Sequence, residues 1–125
     1  MIAFDSNVLI YVMGRNTTFQ EQATAVFRQA AVEGGICSAL VITESLYGSV
    51  VSLNQIPILL SPQITILPVN NEIAEKAGQL KIEHGLKNID AIHIATAIYA
   101  GASTFITNDI KVYNKKVEGI TLRGL

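Results

Sequence analysis

Residues 2–13 read Ile2-Ala3-Phe4-Asp5-Ser6-Asn7-Val8-Leu9-Ile10-Tyr11-Val12-Met13, and this stretch contains the change of pattern that decides the fold. The apolar run at 2–5 is typical of a short buried strand, and a helix is predicted to follow at once over 6–13. Short strands alternate with helical segments along the rest of the chain. This alternation predicts an α/β fold with a parallel sheet.

The remaining elements follow from the same patterns. Further strands are predicted at 36–38, 64–67, 104–107 and 120–122, which gives a sheet of about four to five strands. Helices are predicted from Thr18 to Gly34, over about 39–53, from Asn70 or Asn71 to Gly85, and over 89–99. Thr18 and Glu21 form a capping-box pattern at the start of the second helix. The helix at 89–99 is apolar nearly all round and is predicted to be buried.

Length and composition set the frame. A chain of 125 residues predicts one domain, 1–125, with a substantial core. No stretch has the roughly 20 apolar residues that a membrane span needs, and no basic region precedes the first strand, so no signal peptide is predicted. Cys37 is the only cysteine, which fits a reducing, cytoplasmic location.

The charge distribution is uneven. A net charge of −1 provides no overall attraction to nucleic acid. Most of the basic residues lie in the C-terminal half, which permits a local basic surface. They are Lys76, Lys81, Lys87, Lys111, Lys115, Lys116 and Arg123.

Four acids stand at apolar stretches. Asp5, Asp90 and Asp109 are the only aspartates in the chain, and Glu44 lies within Leu40-Val41-Ile42-Thr43-Glu44-Ser45-Leu46. Carboxylates are costly beside apolar structure unless they are paired, hydrogen-bonded or bound to a cation. The four acids together therefore predict a divalent-metal site.

The predicted fold allows these acids to meet. Sites on open parallel sheets form outside the carboxyl ends of the strands, where Asp5 and Asp109 are both expected. Glu44 shares a helical stripe with apolar residues, whereas Ser45 belongs to a separate polar stripe with Ser49 and Ser52. Asp90 lies in the first turn of the buried helix. The four carboxylates are therefore expected at one end of the sheet.

Each acid also has a purely structural interpretation. Asp5 or Ser6 could cap the helix that follows, Asp90 suits the positive end of a helix dipole, and Asp109 could be an ordinary turn residue. Glu44 is the hardest to explain in this way. His93 is interpreted as a satisfied core residue and His84 as a helix C-terminal residue.

Four segments, in this order and spacing, resemble the successive motifs of PIN-domain nucleases. They are Phe4-Asp5-Ser6-Asn7-Val8-Leu9, Thr43-Glu44, Asp90-Ala91-Ile92-His93-Ile94-Ala95-Thr96-Ala97 and Phe105-Ile106-Thr107-Asn108-Asp109. The resemblance covers essentially the whole chain. A free-standing PIN domain of this size resembles the toxin of VapBC-type toxin–antitoxin pairs. It implies a three-layer fold, with a central parallel sheet flanked by helices, and endonucleolytic cleavage of RNA.

The resemblance also implies a site and partners. It carries over Asp5, Glu44, Asp90 and Asp109 as catalytic acids around Mg²⁺ or Mn²⁺, with Ser6, Asn7, Thr107 and Asn108 as supporting residues. Many relatives have another acid or an aromatic residue soon after the last motif. Here Ile110-Lys111-Val112-Tyr113 follows, so a fifth acidic ligand is unsupported. The implied protein partner is an antitoxin, and a homodimer or higher oligomer is expected, with Gly48 as one position that could mark close packing.

The metal chemistry follows from the residue types. Mg²⁺ prefers oxygen ligands and keeps several waters, so two to four carboxylates suffice. Asp5 and Asp109 are the best direct ligands because both follow strands. Asp90 is expected to bind directly or through water, and Glu44 to orient or deprotonate the attacking water.

Two functions of other classes are compatible with an acidic pocket. A phosphoacceptor receiver domain would need paired acids after its first strand, whereas Ser6 and Asn7 follow Asp5. A non-catalytic PIN-like module that binds RNA or protein would retain the pocket without the reaction. Metal-dependent RNA cleavage discriminates between these functions.

Overall fold

The structure, a computed structural model, describes residues 1–13, 18–45 and 63–125. Five strands lie in these ranges: β1 (Ile2–Phe4), β2 (Gly35–Ser38), β3 (Ile64–Leu67), β4 (Thr104–Ile106) and β5 (Thr121–Arg123). The helices described are α1 (Ser6–Met13), α2 (Gln20–Glu33), α3 (Leu40–Ser45), α4 (Asn71–His84), α5 (Asn88–Tyr99) and α6 (Ile110–Tyr113).

The strands form one parallel sheet in the order β3-β2-β1-β4-β5. The chain builds outward from β1 through β2 to β3, and then continues on the other side of β1 with β4 and β5. Phe4 is paired with Ile106, and the N–H of Asp5 donates to the carbonyl of Ile106 at 3.3 Å. The segments that follow β1 and β4 therefore leave the sheet side by side, at the kind of position where open α/β sheets bind ligands.

Each face of the sheet is covered by its own helices. Ala3 and Phe105 belong to a core cluster with residues of α4, α5 and α6. Phe4 and Ile106, the next residues along the same strands, belong to a second cluster with residues of α1, α2 and α3. Successive strand residues point to opposite faces, so the sheet is buried on both sides. The predicted three-layer α/β fold, with a central parallel sheet flanked by helices, is confirmed.

The ends of the helices follow local chemistry at most positions. Asn70 Oδ1 accepts the N–H of Ile73 at 2.8 Å and caps α4, and Gly85 ends this helix with a φ of +64°. The helix start predicted at Thr18 is two residues early, because α2 begins at Gln20 and its N-cap, Phe19, makes no side-chain capping bond. The Phe19 ring packs instead against the ring of Tyr11, with centroids 5.3 Å apart, and this contact joins the start of α2 to α1.

The helix predicted over 39–53 is described only as Leu40–Ser45; Gly48 and the rest of that helix lie outside the described residues. The prediction that Ser45 belongs to a polar stripe is wrong, because this residue is fully buried. Helix α3 packs against α1. No helix in the described part of the chain is long and apolar enough to cross a membrane.

Candidate active site

Three of the four predicted acids line one cleft. The cleft has a volume of about 400 Å³ and its walls come from α3, from the start of α5 and from the turn after β4. Its lining residues are Glu44, Lys87, Asn88, Ile89, Asp90 and Asp109. Acids that are up to 65 positions apart in the sequence therefore reach one opening because of the sheet order.

Asp5 lies beside this cleft and is only 5% exposed. Its Oδ1 accepts the N–H of Asn7 at 3.1 Å, and its Oδ2 accepts the hydroxyl of Thr107 at 2.6 Å. Burial raises the pKa of Asp5 to about 6, although the Thr107 hydrogen bond, the charge of His93 and backbone N–H groups oppose the rise. Asp5 thus bonds to the start of α1, as a capping residue would, and is also joined to Thr107.

Thr107 joins Asp5 to the turn that carries Asp109. Its hydroxyl donates to Asp5 and also accepts the N–H of Asp109 at 3.2 Å. Asp109 Oδ1 accepts the N–H of Lys111 at 2.9 Å and caps α6. The Nδ2–H of Asn108 donates to the hydroxyl of Tyr11 at 3.2 Å. Asp109 is therefore a helix-capping residue, and the same segment brings its carboxylate to the cleft.

Glu44 is held by His93 and Ser6. His93 Nε2 lies 2.5 Å from Glu44 Oε1, and Ser6 also makes a side-chain hydrogen bond to this carboxylate. Burial raises the pKa of Glu44, but the hydrogen bonds from His93 and Ser6 and the charge of His93 outweigh it, so that the pKa is lowered. Glu44 is therefore held ionised at the rim of the cleft, with its side chain 28% exposed.

The interpretation of His93 as a satisfied core residue is wrong. Its ring is 2% exposed, and its Nδ1 has no hydrogen-bond partner in the part of the chain that the structure describes. A proton on Nδ1 would be a buried donor without an acceptor, so the geometry favours the tautomer with the proton on Nε2, directed at Glu44. One signal in the sequence pointed here: His93 lies three residues after Asp90 and shares its helix face.

Asp90 experiences an excess of negative charge. Burial raises its pKa, and the charge of Asp109 raises it further. Glu44 adds to the rise, whereas His93 and Lys87 oppose it. Carboxylates that are crowded in this way repel one another until a proton or a cation compensates their charge.

The donor set suits a hard divalent cation. Carboxylate oxygens are the ligands that Mg²⁺ and Mn²⁺ prefer, and Mg²⁺ needs only one or two of them because it keeps several waters. Across residues 1–13, 18–45 and 63–125, no three His, Cys, Asp or Glu side chains form a group that could hold a metal ion. Donor chemistry and crowded charge thus fit a cation coordinated by few protein ligands rather than by a complete protein cage.

Comparisons with known proteins place this geometry in a family. The sequence has no significant match among curated proteins. VapBC2 from Rickettsia felis, solved bound to a DNA fragment of its promoter, has a chain similar to this one at 21% identity, with a TM-score of 0.73 and coverage of 99% of this chain and 98% of that one. A toxin–antitoxin complex from Klebsiella pneumoniae is similar at 23% identity, with a TM-score of 0.70 and coverage of 97% and 96%.

A third similar structure is VapC20 from Mycobacterium tuberculosis, described as a toxin that cleaves the sarcin–ricin loop. It shares 15% identity with this chain, with a TM-score of 0.70 and coverage of 94% of this chain and 98% of that one. The profile of the PIN domain family matches residues 2–118. This match covers most of the chain and includes all four acids at the cleft and beside it. The chain therefore belongs to the PIN domain family.

Proposed function

We propose that this protein is a Mg²⁺- or Mn²⁺-dependent endoribonuclease and the toxin of a toxin–antitoxin pair. One observation carries the proposal: Glu44, Asp90 and Asp109 line a single cleft, and Thr107 links the buried Asp5 to the same place. Hydrolysis of a phosphodiester requires an oriented water and compensation of the charge that develops on the phosphoryl oxygens. A bound divalent cation supplies that compensation and acidifies water.

The side chains divide this work. Asp5, Asp90 and Asp109 are the residues that would hold the cation, with one or two of them as direct ligands and the rest through bound water. Glu44 is held ionised by His93 and Ser6, so it is able to accept a proton from water or to orient it. Thr107 and the N–H of Asn7 position the carboxylate of Asp5, and Asn108 anchors the last turn to Tyr11. A cytoplasmic location and a homodimer or higher oligomer remain predictions.

The toxin role is supported by the structures that this fold matches. They include toxin–antitoxin complexes and a toxin that cleaves the sarcin–ricin loop. We infer that the partner of this chain is an antitoxin that covers the cleft. The motivation is this likeness, together with a charged fraction of only 15%, which leaves few residues to cover the outside of the molecule.

The decisive experiment is RNA cleavage by the wild type beside Asp5→Asn, with Mn²⁺ and with EDTA. Glu75→Gln is the matched control, because it removes one negative charge from an exposed position on α4. We expect cleavage with Mn²⁺ by the wild type and Glu75→Gln, and no cleavage by Asp5→Asn or in EDTA. Activity that survives both EDTA and Asp5→Asn would show that the acids are not the catalytic centre.

The substrate is best tested as hairpin RNA, duplex RNA and single-stranded DNA at one salt concentration. A single-stranded loop is flexible enough to bend into a narrow cleft, whereas duplex RNA is stiff and displays mainly its backbone. We expect the hairpin to be cut in its loop, and preferential cutting of the duplex would contradict this substrate.

A non-catalytic binding module is the second candidate. It is favoured by the absence, in the described residues, of a ready-made group of three metal-binding side chains. RNA or protein binding without any cleavage in Mg²⁺ or Mn²⁺ would support this function over the nuclease.

A further inference from the structure

A second groove opens directly from the acidic cleft. It has a volume of about 180 Å³, and it shares Lys87, Asp90 and Asp109 with the cleft. The remaining lining residues are Gly85, Leu86, Lys111, Val112 and Lys115. We call it the lysine groove, because Lys87, Lys111 and Lys115 form its charged wall.

The backbones of the three lysines are held in place by the fold. Lys87 immediately precedes α5, Lys111 lies in α6, and Lys115 follows α6, where its N–H donates to the carbonyl of Val112 at 3.0 Å. Leu86 and Val112 are buried in the core and hold this backbone in place. In the part of the chain that the structure describes, none of the three ammonium groups forms an ion pair within 4.0 Å.

The balance of charge in the groove suits a polyanion. Three lysines face two carboxylates there, while the chain as a whole has a net charge of −1 and creates no general attraction. Lysine binds phosphate as a point charge and reads no base, so such a groove would hold a backbone independently of its sequence.

We propose that the lysine groove holds the RNA backbone on one side of the cleaved bond, with Lys87, Lys111 and Lys115 contacting successive phosphates. This inference rests on the proposed ribonuclease function, and it adds that the RNA strand is bound on one side of the cleaved bond. RNA leaving the acidic cleft by this route meets a lysine immediately, because Lys87 belongs to both openings. The part of the RNA strand that lies in the lysine groove would be bound through its phosphates.

RNA fits the groove better than an acidic protein segment does. The groove opens into the proposed cleavage centre and shares two of its acids, so a strand that is placed for cleavage has a continuous path into it. An acidic peptide would need no such connection. This alternative is an outcome of the test below.

The first test measures the salt dependence of RNA binding. The groove variant carries Lys87→Gln, Lys111→Gln and Lys115→Gln, and the control carries Lys76→Gln, Lys81→Gln and Lys116→Gln, which removes the same charge from positions that do not line the groove. Both are made in a Glu44→Gln background to prevent cleavage and are titrated with Mg²⁺ and a short fluorescent single-stranded RNA, or with a polyglutamate peptide. Three lost phosphate contacts should lower the slope of log affinity against log salt by about 2.

We expect at least about a tenfold loss of RNA affinity near 50 mM salt for the groove variant and a much smaller loss for the control. Equal slopes of log affinity against log salt in the two variants would overturn the proposal that the lysine groove binds RNA. Lysine-dependent binding of polyglutamate, with none of RNA, would replace the RNA strand by an acidic protein partner and would also overturn it.

The second test measures direction. In proteins that retain Glu44 and therefore cleave, RNAs of mapped cleavage site are extended on the 5′ side or on the 3′ side, and KM is compared between the wild type and the groove variant. We expect an extension on one side only to lower KM, and this advantage to disappear in the groove variant. Equal benefit from both sides would contradict the proposal.

The two proposals fail separately. Normal metal-dependent cleavage, with equal behaviour of the groove and control variants, would remove the groove and leave the ribonuclease. Lysine-dependent RNA binding with no cleavage by the wild type in Mg²⁺ or Mn²⁺ would remove the ribonuclease and leave the groove as an RNA-binding surface.

Discussion

His93 Nε2 and Glu44 Oε1 lie 2.5 Å apart, although the two residues are separated by 49 positions in the sequence. This hydrogen bond joins α5 to α3 at the rim of the acidic cleft. The ring of His93 is buried, and its charge also acts on Asp5 and Asp90. His93 is therefore placed to position Glu44, and only its protonated form would also moderate the repulsion among the carboxylates.

Replacement of His93 should reduce activity by releasing Glu44. Loss of a residue that orients a catalytic group typically costs about 10- to 100-fold, so we expect His93→Ala to lower kcat by this amount with little change in KM. His93→Gln retains a donor and should recover part of the loss. Steady-state kinetics at a temperature where circular dichroism shows all variants folded provides the measurement, and equal kcat for the wild type and His93→Ala would contradict the role.

Asp5→Asn should stabilise the metal-free protein at neutral and higher pH. Burial raises the pKa of Asp5 from 3.8 to about 6, so the folded chain binds this proton more tightly than the unfolded chain. The free energy of unfolding therefore falls as the pH rises from about 4 through about 6 and stays lower above that range. Two pKa units correspond to an upper limit of about 3 kcal/mol.

The measurement is urea denaturation of the wild type and Asp5→Asn in EDTA, at about pH 4 and about pH 8. The advantage of the variant should be present at the higher pH and absent at the lower one. An Asp5→Asn protein that is less stable than the wild type by the same amount at both pH values would show that burial does not penalise the ionised carboxylate.

Thr107→Val should weaken both the fold and the site. The Thr107 hydroxyl donates to Asp5 at 2.6 Å and accepts from the N–H of Asp109, and the residue is buried. Leaving these groups without a partner costs about 1–3 kcal/mol. Thr107→Ser keeps the hydroxyl, so thermal unfolding and cleavage assays should place it near the wild type, and equal damage by both substitutions would point to methyl packing instead.

Binding of a divalent cation should raise the stability of the folded chain. Burial and the charges of Asp109 and Glu44 raise the pKa of Asp90 in the metal-free protein, and a cation removes this repulsion. At a concentration of about 100 times Kd the stabilisation is about 2.7 kcal/mol. Thermal unfolding with Mg²⁺ or Mn²⁺ should show this rise for the wild type and Glu75→Gln, and a smaller rise for Asp90→Asn and Asp109→Asn.

Expression of a toxin should stop growth. We expect induction of the wild type to arrest cells, Asp109→Asn to be harmless, and co-expression with the product of a short neighbouring gene for a DNA-binding antitoxin to restore growth. Growth curves with matched protein levels provide the measurement. Harmless expression of a chain with proven nuclease activity, without any partner, would count against the toxin role.

Local patterns in the sequence determined where most elements lie, and for some of them the bounds. The helix predicted at 6–13 and the strand predicted at 64–67 have the same bounds in the structure. Asn70 caps the start of α4 and Gly85 closes its end, as predicted, because capping and a positive φ depend on a few neighbouring residues. The start of α2 was harder to predict. Phe19, its N-cap, contacts Tyr11 of another helix, and such a contact does not follow from neighbouring residues.

The acids could also be recognised from the sequence, since carboxylates at apolar stretches require compensation wherever they lie. Their arrangement could not. The sheet order that places β4 beside β1, the hydrogen bond from Thr107 to Asp5 across 102 positions and the pairing of His93 with Glu44 are decided by the packing of helices on both faces of the sheet. Sequence periodicity shows which side of an element is buried, but only the tertiary structure decides which side chains meet there, because these contacts join residues far apart in the chain.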